Sequence, residues 1–461
     1  MSDTMKKTKK YNIFAPYPEF YKKDKVSFLE KLKSKSYIEF FKKKHYKMKM
    51  GYPKKIFGSR KIMMCDDKYV ENILDDYKEY YKSKELHSTL SPLLGDSIFT
   101  SNGDTWRFQR NIMNKSFAAL QPKKTFSSME DSVERLIKLI DKKMIDSKEL
   151  TIDSLMTYVT ANIIFKTIFS IDYSYDDSIK LYSDFNEYQK YSYLLTDNPY
   201  KYLVFPFLKY QQIKSIKKIH SQFHPIIAKR LKQKDNGVAY NDILGSLLNE
   251  SGEVTDKKFT QKDLNEQICM FFLAGHETSA VALTWSLYLI SQCEELQQDL
   301  YEEVMKSLDE NGTIVYQSLK KMPLLLAVFE ETMRLYPPVV GLPRECTKPE
   351  VMRGKLIKPK DEIIISLWLQ HRHYDKWDNP MEFDPFRFYN KKAGDKCPAY
   401  MPFGKGDRVC IGSAFAKQES LLILSHIIKR FRLKNLTESV IPLSKITLKP
   451  NKPINIEFVL R

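Results

Sequence analysis

The chain has 461 residues, 43% hydrophobic and 29% charged, which excludes a mainly disordered protein and leaves enough apolar side chains for a large core. Six scattered cysteines (Cys65, Cys269, Cys293, Cys346, Cys397 and Cys410) without a CxxC pair exclude a disulfide framework, and no run reaches the roughly 18 apolar residues of a membrane span. The net charge is +18, and residues 1–60 carry 18 Lys and Arg against 5 Asp and Glu, so most of the excess lies there.

Residues 1–50 read as a basic segment without a membrane anchor or the apolar stretch of a signal peptide. The chain is therefore expected in the cytoplasm with reduced thiols, soluble or peripherally membrane-associated, and as a monomer. Lysines alternate with aromatics in YKKDKVSFLEKLKSKSYIEFFKKKHYKMKM, yet the pattern matches no nucleic-acid module, and no nucleic-acid partner is expected. Solvated lysine faces are the favoured reading, with an amphipathic helix touching acidic lipid as the alternative. Residues 51–461 read as one domain, because no Gly/Ser-rich or Pro-rich linker divides them.

In chain order, the strand-like KIFGSRKIMMC (55–65) is followed by an apolar loop, LHSTLSPLLGDSIF (86–99). GDTWRFQRN then places Trp106 and Arg110 one helical turn apart. A buried Trp and an exposed Arg on an amphipathic helix explain that pair equally well. Helical periodicity covers 127–145, 213–234, 260–292 and 318–337, with the aromatic-rich YSYLLTDNPYKYLVFPFL (191–208) between the first two. Further strands are read at 362–370 and 453–460. The fold class is mainly α with a small β part.

The 260–292 helix would run about 50 Å at 1.5 Å per residue, long enough to cross the whole domain. Mid-span it carries AGHETS, where Gly275 costs helix stability and Glu277, Thr278 and Ser279 put polar groups among apolar flanks. Either a bulge with a function accounts for this, or a glycine for close helix packing beside a satisfied threonine.

Near the C-terminus, MPFGKGDRVCIGSAFAKQE sets Cys410 among Gly404, Gly406 and Gly412, beside Arg408. Glycines let a backbone turn tightly or let something bulky come close. A helix beginning after Cys410 would offer its positive end to a thiolate, and Arg408 offers a planar, permanently charged fork to an anion.

FGKGDRVCIG fits F-x-x-G-x-R-x-C-x-G at all five fixed positions, Phe403, Gly406, Arg408, Cys410 and Gly412, and closely resembles the haem-thiolate loop of the cytochrome P450 family. The likeness runs from about residue 50 to the end and implies the P450 fold, a long central helix over a haem. It implies haem b with the Cys410 thiolate as axial metal ligand, Phe403 and Gly404 lining the cofactor, and O2 as co-substrate. Arg408, Trp106 and Arg110 match residues that reach haem propionates in relatives, and Arg344 occupies the place of another. AGHETS resembles the oxygen-binding helix. There Ala274 and Gly275 would keep the space above the iron open, Thr278 would hydrogen-bond dioxygen, and Glu277 would help relay protons. His276 is a rival ligand that fits less of the sequence, and His371 and His373 lack a third metal-ligand pattern and read as structural.

Glu331 and Arg334 form E-x-x-R, and the segment resembling F-x-P-E-R-F reads Phe383-Asp384-Pro385-Phe386-Arg387-Phe388, with Phe386 in place of the usual Glu. The family's Glu-Arg-Arg structural network would then be Glu331, Arg334 and Arg387. The implied activity is monooxygenation of a hydrophobic small molecule such as a fatty acid, terpenoid or sterol. The pocket walls would come from 86–99, Phe271, Phe272, Ala274, 337–342 and a lid at 191–208. Electrons would come from a separate ferredoxin, flavodoxin or NADPH reductase docking near Lys396, Lys405 and Lys417. A peroxygenase or isomerase of the same fold and a non-catalytic haem-based sensor are the alternatives.

Overall fold

The structure is a computed structural model that describes residues 11, 13, 15, 49–51, 60–119, 122–145, 151–195, 205–236, 242–249, 260–391, 397–444 and 446–461. Most of the basic N-terminal segment, residues 55–59 of the first expected strand, 196–204 of the expected lid and Lys396 lie outside the described residues.

Helices dominate, as the periodicity requires. They are α1 (Asp67–Asp75), α2 (Lys84–Leu94), α3 (Gly103–Ala119), α4 (Pro122–Ile145), α5 (Ile152–Phe169), α6 (Tyr175–Leu195) and α7 (Pro206–Asp235) in the first half. The second half adds α8 (Ile243–Asn249), α9 (Gln261–Phe272), α10 (Thr278–Ile290), α11 (Glu294–Ser307), α12 (Pro323–Leu335) and α13 (Ser413–Arg430). The expected helices at 127–145 and 213–234 lie within α4 and α7. Only 95–99 of the expected 86–99 loop lies outside a helix: the Ser83 hydroxyl accepts the Leu86 N–H at 3.2 Å and starts α2, which runs to Leu94. In the 318–337 segment, a 3-10 turn at Ser318–Lys321 precedes α12, which begins at Pro323, where a missing N–H costs nothing.

Strands β1 (Met50–Gly51), β2 (Lys61–Met64), β3 (Tyr80–Lys82), β4 (Gly341–Cys346) and β7 (Glu362–Ser366) make a five-stranded sheet in the order β1-β2-β7-β4-β3. Only β2 and β7 run parallel. Three antiparallel ribbons complete the β part: β5 (Glu350–Met352) with β6 (Lys355–Ile357), β8 (Phe431–Asn435) with β11 (Ile456–Leu460), and β9 (Pro442–Ser444) with β10 (Leu448–Pro450). The strand expected at 362–370 ends at Ser366. Its hydroxyl accepts the Leu369 N–H at 3.2 Å and turns 367–370 into one helical turn.

α5, α9 and α10 are buried on nearly every side, which is why α5 and α10 are apolar all round rather than striped. Between α9 and α10 the helix makes a π-turn at Leu273–Glu277, so the expected central helix runs unbroken from Gln261 to Ile290 with the expected bulge at AGHE. A capping box of Thr260 and Asp263 starts it.

The E-x-x-R pair is wholly buried. Arg334 holds both oxygens of Glu331, at 2.7 and 2.8 Å, and donates to the carbonyls of His371, Pro380 and Glu382 at 2.8, 2.7 and 2.9 Å. Arg387 Nε lies 3.5 Å from Glu331 Oε1, which also accepts the Asp384 N–H at 2.8 Å. Removing the carboxylate leaves a buried guanidinium unpaired, a loss of about 3–5 kcal/mol. We expect Glu331→Ala to yield little soluble, haem-loaded protein on expression. Parental yield would separate these residues from folding.

Candidate active site

Two elements pack on the same apolar core: the cysteine loop with the start of α13, through Ile411 and Phe415, and the π-turn of the central helix, through Ala274. In the loop, Gly404 and Gly406 have φ of +75° and +72°, the left-handed region that favours glycine. A Cβ on Gly406 would stand 2.3 Å from the Leu74 carbonyl oxygen at the end of α1, so the loop is seated directly on backbone. The turn closes with the Cys410 N–H donating to the Phe403 carbonyl at 2.9 Å, and α13 starts three residues after the cysteine. Cys410 is the one exposed cysteine of the six. The protein around it still pushes its thiol up, while the Gly412 N–H and Arg110 pull the other way.

Beside this loop four cations converge. Strand register sets Lys82 opposite Arg344. Arg408 donates to Ser101 O and Asn102 Oδ1 at 3.2 and 2.9 Å, with its guanidinium 4.3 Å from the centre of the Trp106 ring. Arg110 donates to the Val409 carbonyl at 2.8 Å, tying α3 to the loop. Lys82 donates to the Phe99 carbonyl. Burial, then repulsion from Arg408, Arg344 and Arg110, pulls Lys82 well below its ordinary range. Burial lowers Arg344 to about 10, and burial with the other two arginines lowers Arg408 to about 9. Arg408 Nε is buried without a partner. Asp407 offsets only part of this charge at Arg408.

In and next to the π-turn Ala274, Gly275 and Thr278 are half-buried, and His276 and Glu277 are buried. The Thr278 hydroxyl donates to the Ala274 carbonyl at 2.5 Å. A Cβ on Gly275 would meet Ile164 Cδ1 at 2.6 Å, so this glycine's smallness serves the packing of α5. His276 stacks on Phe272 with ring centres 4.1 Å apart and donates from Nδ1 to the Phe272 carbonyl at 2.7 Å. Burial lowers it to about 4, so it is neutral. It lies with Tyr182 and Phe272 among the helices.

Glu277 points into the core as well. It accepts from Thr447 Oγ1 at 2.6 Å, from Lys449 Nζ at 3.1 Å and from Gln189 Nε2. Burial works to raise its carboxyl, but Lys449 and Thr447 outweigh burial and hold it below the usual range, with Lys449 raised in turn. Phe272, expected in the pocket wall, instead packs against Phe165, Phe185 and Phe223.

The chain matches a cytochrome P450 family model over residues 26–458. The chain belongs to the cytochrome P450 family. It is 27% identical over 394 residues to cytochrome P450 6B7 of Helicoverpa armigera, spanning 80% of this chain and 77% of that one. Identity to human cytochrome P450 4Z1 is 27% over 81% and 77% of the two chains, and to probable cytochrome P450 508A2 of Dictyostelium discoideum 26% over 85% and 83%. The fold matches the crystal structure of the cytochrome P450DA heme domain with a TM-score of 0.80 at 21% identity, over 97% of this chain and 98% of that one.

Membership makes the protein a P450 monooxygenase, an oxidoreductase, and implies haem held by a cysteine thiolate. The residues present fit that group. An accessible thiol sits next to a helix N-terminus, and the mutually repelling cations beside it, Arg344 among them buried, suit an anionic group. No helix among the described residues is long and apolar enough to cross a membrane.

Lys82 escaped the sequence reading, since in YYKSKEL it is one lysine among many; only the β3–β4 register reveals it. Half-buried Phe99, Phe117 and Ile446 pack with Ala274 against one apolar core, and of these three only Phe99 lay in a stretch marked by sequence. The seat of Gly406 is directly testable. Gly406→Ala adds a left-handed penalty of about 1–2 kcal/mol to a clash with backbone that cannot yield. Its melting temperature and haem content should both fall, while Gly354→Ala, whose Cβ meets nothing within 4 Å, should lose only the conformational part.

Proposed function

We propose that this P450 inserts one oxygen atom from O2 into a hydrophobic small molecule such as a fatty acid, terpenoid or sterol-like compound. We assign Cys410 as the iron ligand, with Phe403 and Gly404 beside it. The convergence of Lys82, Arg110, Arg344 and Arg408 on the loop that carries the one exposed cysteine is the observation that carries this reading. Arg408, Arg344, Lys82, Arg110 and Trp106 would hold the propionates. Haem, when bound, supplies the reductive activation of dioxygen.

The chain's own residues do the rest. Phe99, Phe117, Ala274 and Ile446, half-buried against one apolar core, would bind substrate and exclude water. Thr278 holds a proton at the cleft face, its hydroxyl kept in place by the Ala274 carbonyl. Glu277, ion-paired through Lys449 to β10, fixes the π-turn against the C-terminal strands and so positions Thr278. Electrons arrive from a separate redox partner. Lys405 and Lys417, expected to steer that partner, are engaged by Glu71 and Glu330 at 2.6 and 3.0 Å, so their net field is weaker than their number suggests.

Cys410→Ser should abolish the red-shifted absorption of the reduced carbon monoxide complex; a band of parental position and size would remove Cys410 from the iron. Thr278→Ala should leave the substrate-induced haem shift near that of the parent, consume reduced cofactor, release more hydrogen peroxide and form less product. Parental coupling of electrons to product in that variant would favour the peroxygenase or isomerase reading.

A further inference from the structure

The four cations beside the cysteine loop are all held in place, yet by groups that carry no charge. Lys82 donates to the Phe99 carbonyl, Arg110 to the Val409 carbonyl at 2.8 Å, Arg344 to the Pro343 carbonyl at 3.0 Å and Arg408 to the Ser101 carbonyl at 3.2 Å. The rings of Phe99 and Trp106, centred 4.1 and 4.3 Å from the charges of Lys82 and Arg408, add two more uncharged contacts. Among the described residues no carboxylate forms an ion pair with any of the four. Partial offset comes only at a distance, from exposed Asp407 on Arg408 and Arg110, and from Cys410 on Arg110.

In this set of hydrogen-bond acceptors one is a side chain. Asn102 Oδ1 accepts from Arg408 Nη2 at 2.9 Å and from the backbone N–H of Lys82 at 2.9 Å, and Asn102 Nδ2 donates to the Lys82 carbonyl at 3.3 Å. These bonds settle the orientation of the amide, because turning it over would set its NH2 against two donors. The Asn102 carbonyl in turn accepts the Trp106 N–H at 3.3 Å where α3 begins. One half-buried residue therefore joins β3, α3 and the cysteine loop, which carry Lys82, Arg110 and Arg408. A carboxylate at this corner would hold Arg408 more strongly and would suit the positive end of α3. It would also spend the guanidinium's charge inside the protein.

We propose that Asn102 is a positioning residue for the cofactor, a neutral acceptor that fixes Arg408 and the Lys82 backbone while leaving the charge of the cluster unspent for the carboxylates of the haem. The inference rests on the P450 reading above, in which these cations hold the propionates. Two consequences follow from charge alone. A carboxylate at 102 would compete with the propionates for Arg408, and it would disfavour the added electron of the reduced haem, since like charges repel.

The test uses haem-loaded protein and two readouts, the rate at which haem passes to apomyoglobin and the midpoint potential of the iron. Asn102→Ala removes the acceptor without adding charge, so haem should leave several-fold faster than from the parent while the potential moves little. Asn102→Asp should release haem at least as fast and shift the potential in the negative direction. Combining Asn102→Asp with Asp407→Asn restores the count of charges around Arg408 and should bring the potential back toward the parent. Parental haem release from Asn102→Ala overturns the proposal, as does an equal potential shift in Asn102→Ala and Asn102→Asp, or a double variant that stays as negative as Asn102→Asp. If either single variant takes up no haem, uptake by the double variant supports the proposal and a double variant that stays empty overturns it. No readout needs turnover: a parent that takes up haem and makes no product defeats the monooxygenase reading and leaves Asn102 to be judged by release and potential.

Discussion

The buried pair of Glu331 and Arg334 is the interaction on which the cysteine loop depends. Arg334 reaches past its partner to the His371 carbonyl, and the His371 ring donates from Nδ1 to the Arg334 carbonyl at 3.2 Å. The other ring nitrogen accepts the Met401 N–H at 3.1 Å. That bond fixes the neutral tautomer, and burial, followed by the charges of Arg334 and Arg372, lowers the imidazole to about 3. From Met401 the chain of bonds continues to Gly404 N–H at 2.9 Å, and the next turn closes from Phe403 to Cys410. A salt bridge on α12 thus fixes the backbone of the loop through one histidine, which explains why two charges are kept where apolar residues would pack more cheaply.

Around that scaffold the site is organised by charge left out of balance on one side and fully balanced on the other. The cations at Lys82, Arg110, Arg344 and Arg408 repel one another in a poorly solvated place, a cost that folding bears and that an anionic ligand recovers on binding. Glu277 is the opposite case, with both oxygens engaged. Its partner Lys449 also donates to Asn186 at 2.9 Å, so the π-turn, α6 and β10 meet at one ion pair. Cofactor affinity and turn rigidity therefore draw on separate electrostatic sources.

What the sequence made legible was local. The F-x-x-G-x-R-x-C-x-G loop, the bulged central helix and the E-x-x-R pair are patterns within one turn or one element, and each appears in the structure where the sequence placed it. Contacts between distant elements were hidden. Lys82 gains meaning only opposite Arg344 across β3 and β4. Gly275 was open to two readings, and the approach of Ile164 favours packing. The partners of Glu277 were hidden in the same way, because a helix position alone does not tell which way a side chain points when a π-turn shifts the register.

Phe386 shows how such a hidden contact rewrites a local rule. At the position where the family pattern has Glu, its ring stacks on Tyr11, centres 5.8 Å apart and 15° from parallel. The Tyr11 hydroxyl donates to Asp299 Oδ2 at 2.7 Å, and Tyr11 is buried, with Ile13 and Ala15 packed on the same core. Tyr11 precedes residue 26, where the family match begins, so this contact lies outside what the family pattern describes. Glu331 still receives Arg387 at 3.5 Å without the missing carboxylate. The network tolerates the loss because its negative charge resides in Glu331 alone. An aromatic at 386 can then exchange a solvated carboxylate for a stacked ring that draws the start of the chain onto α11.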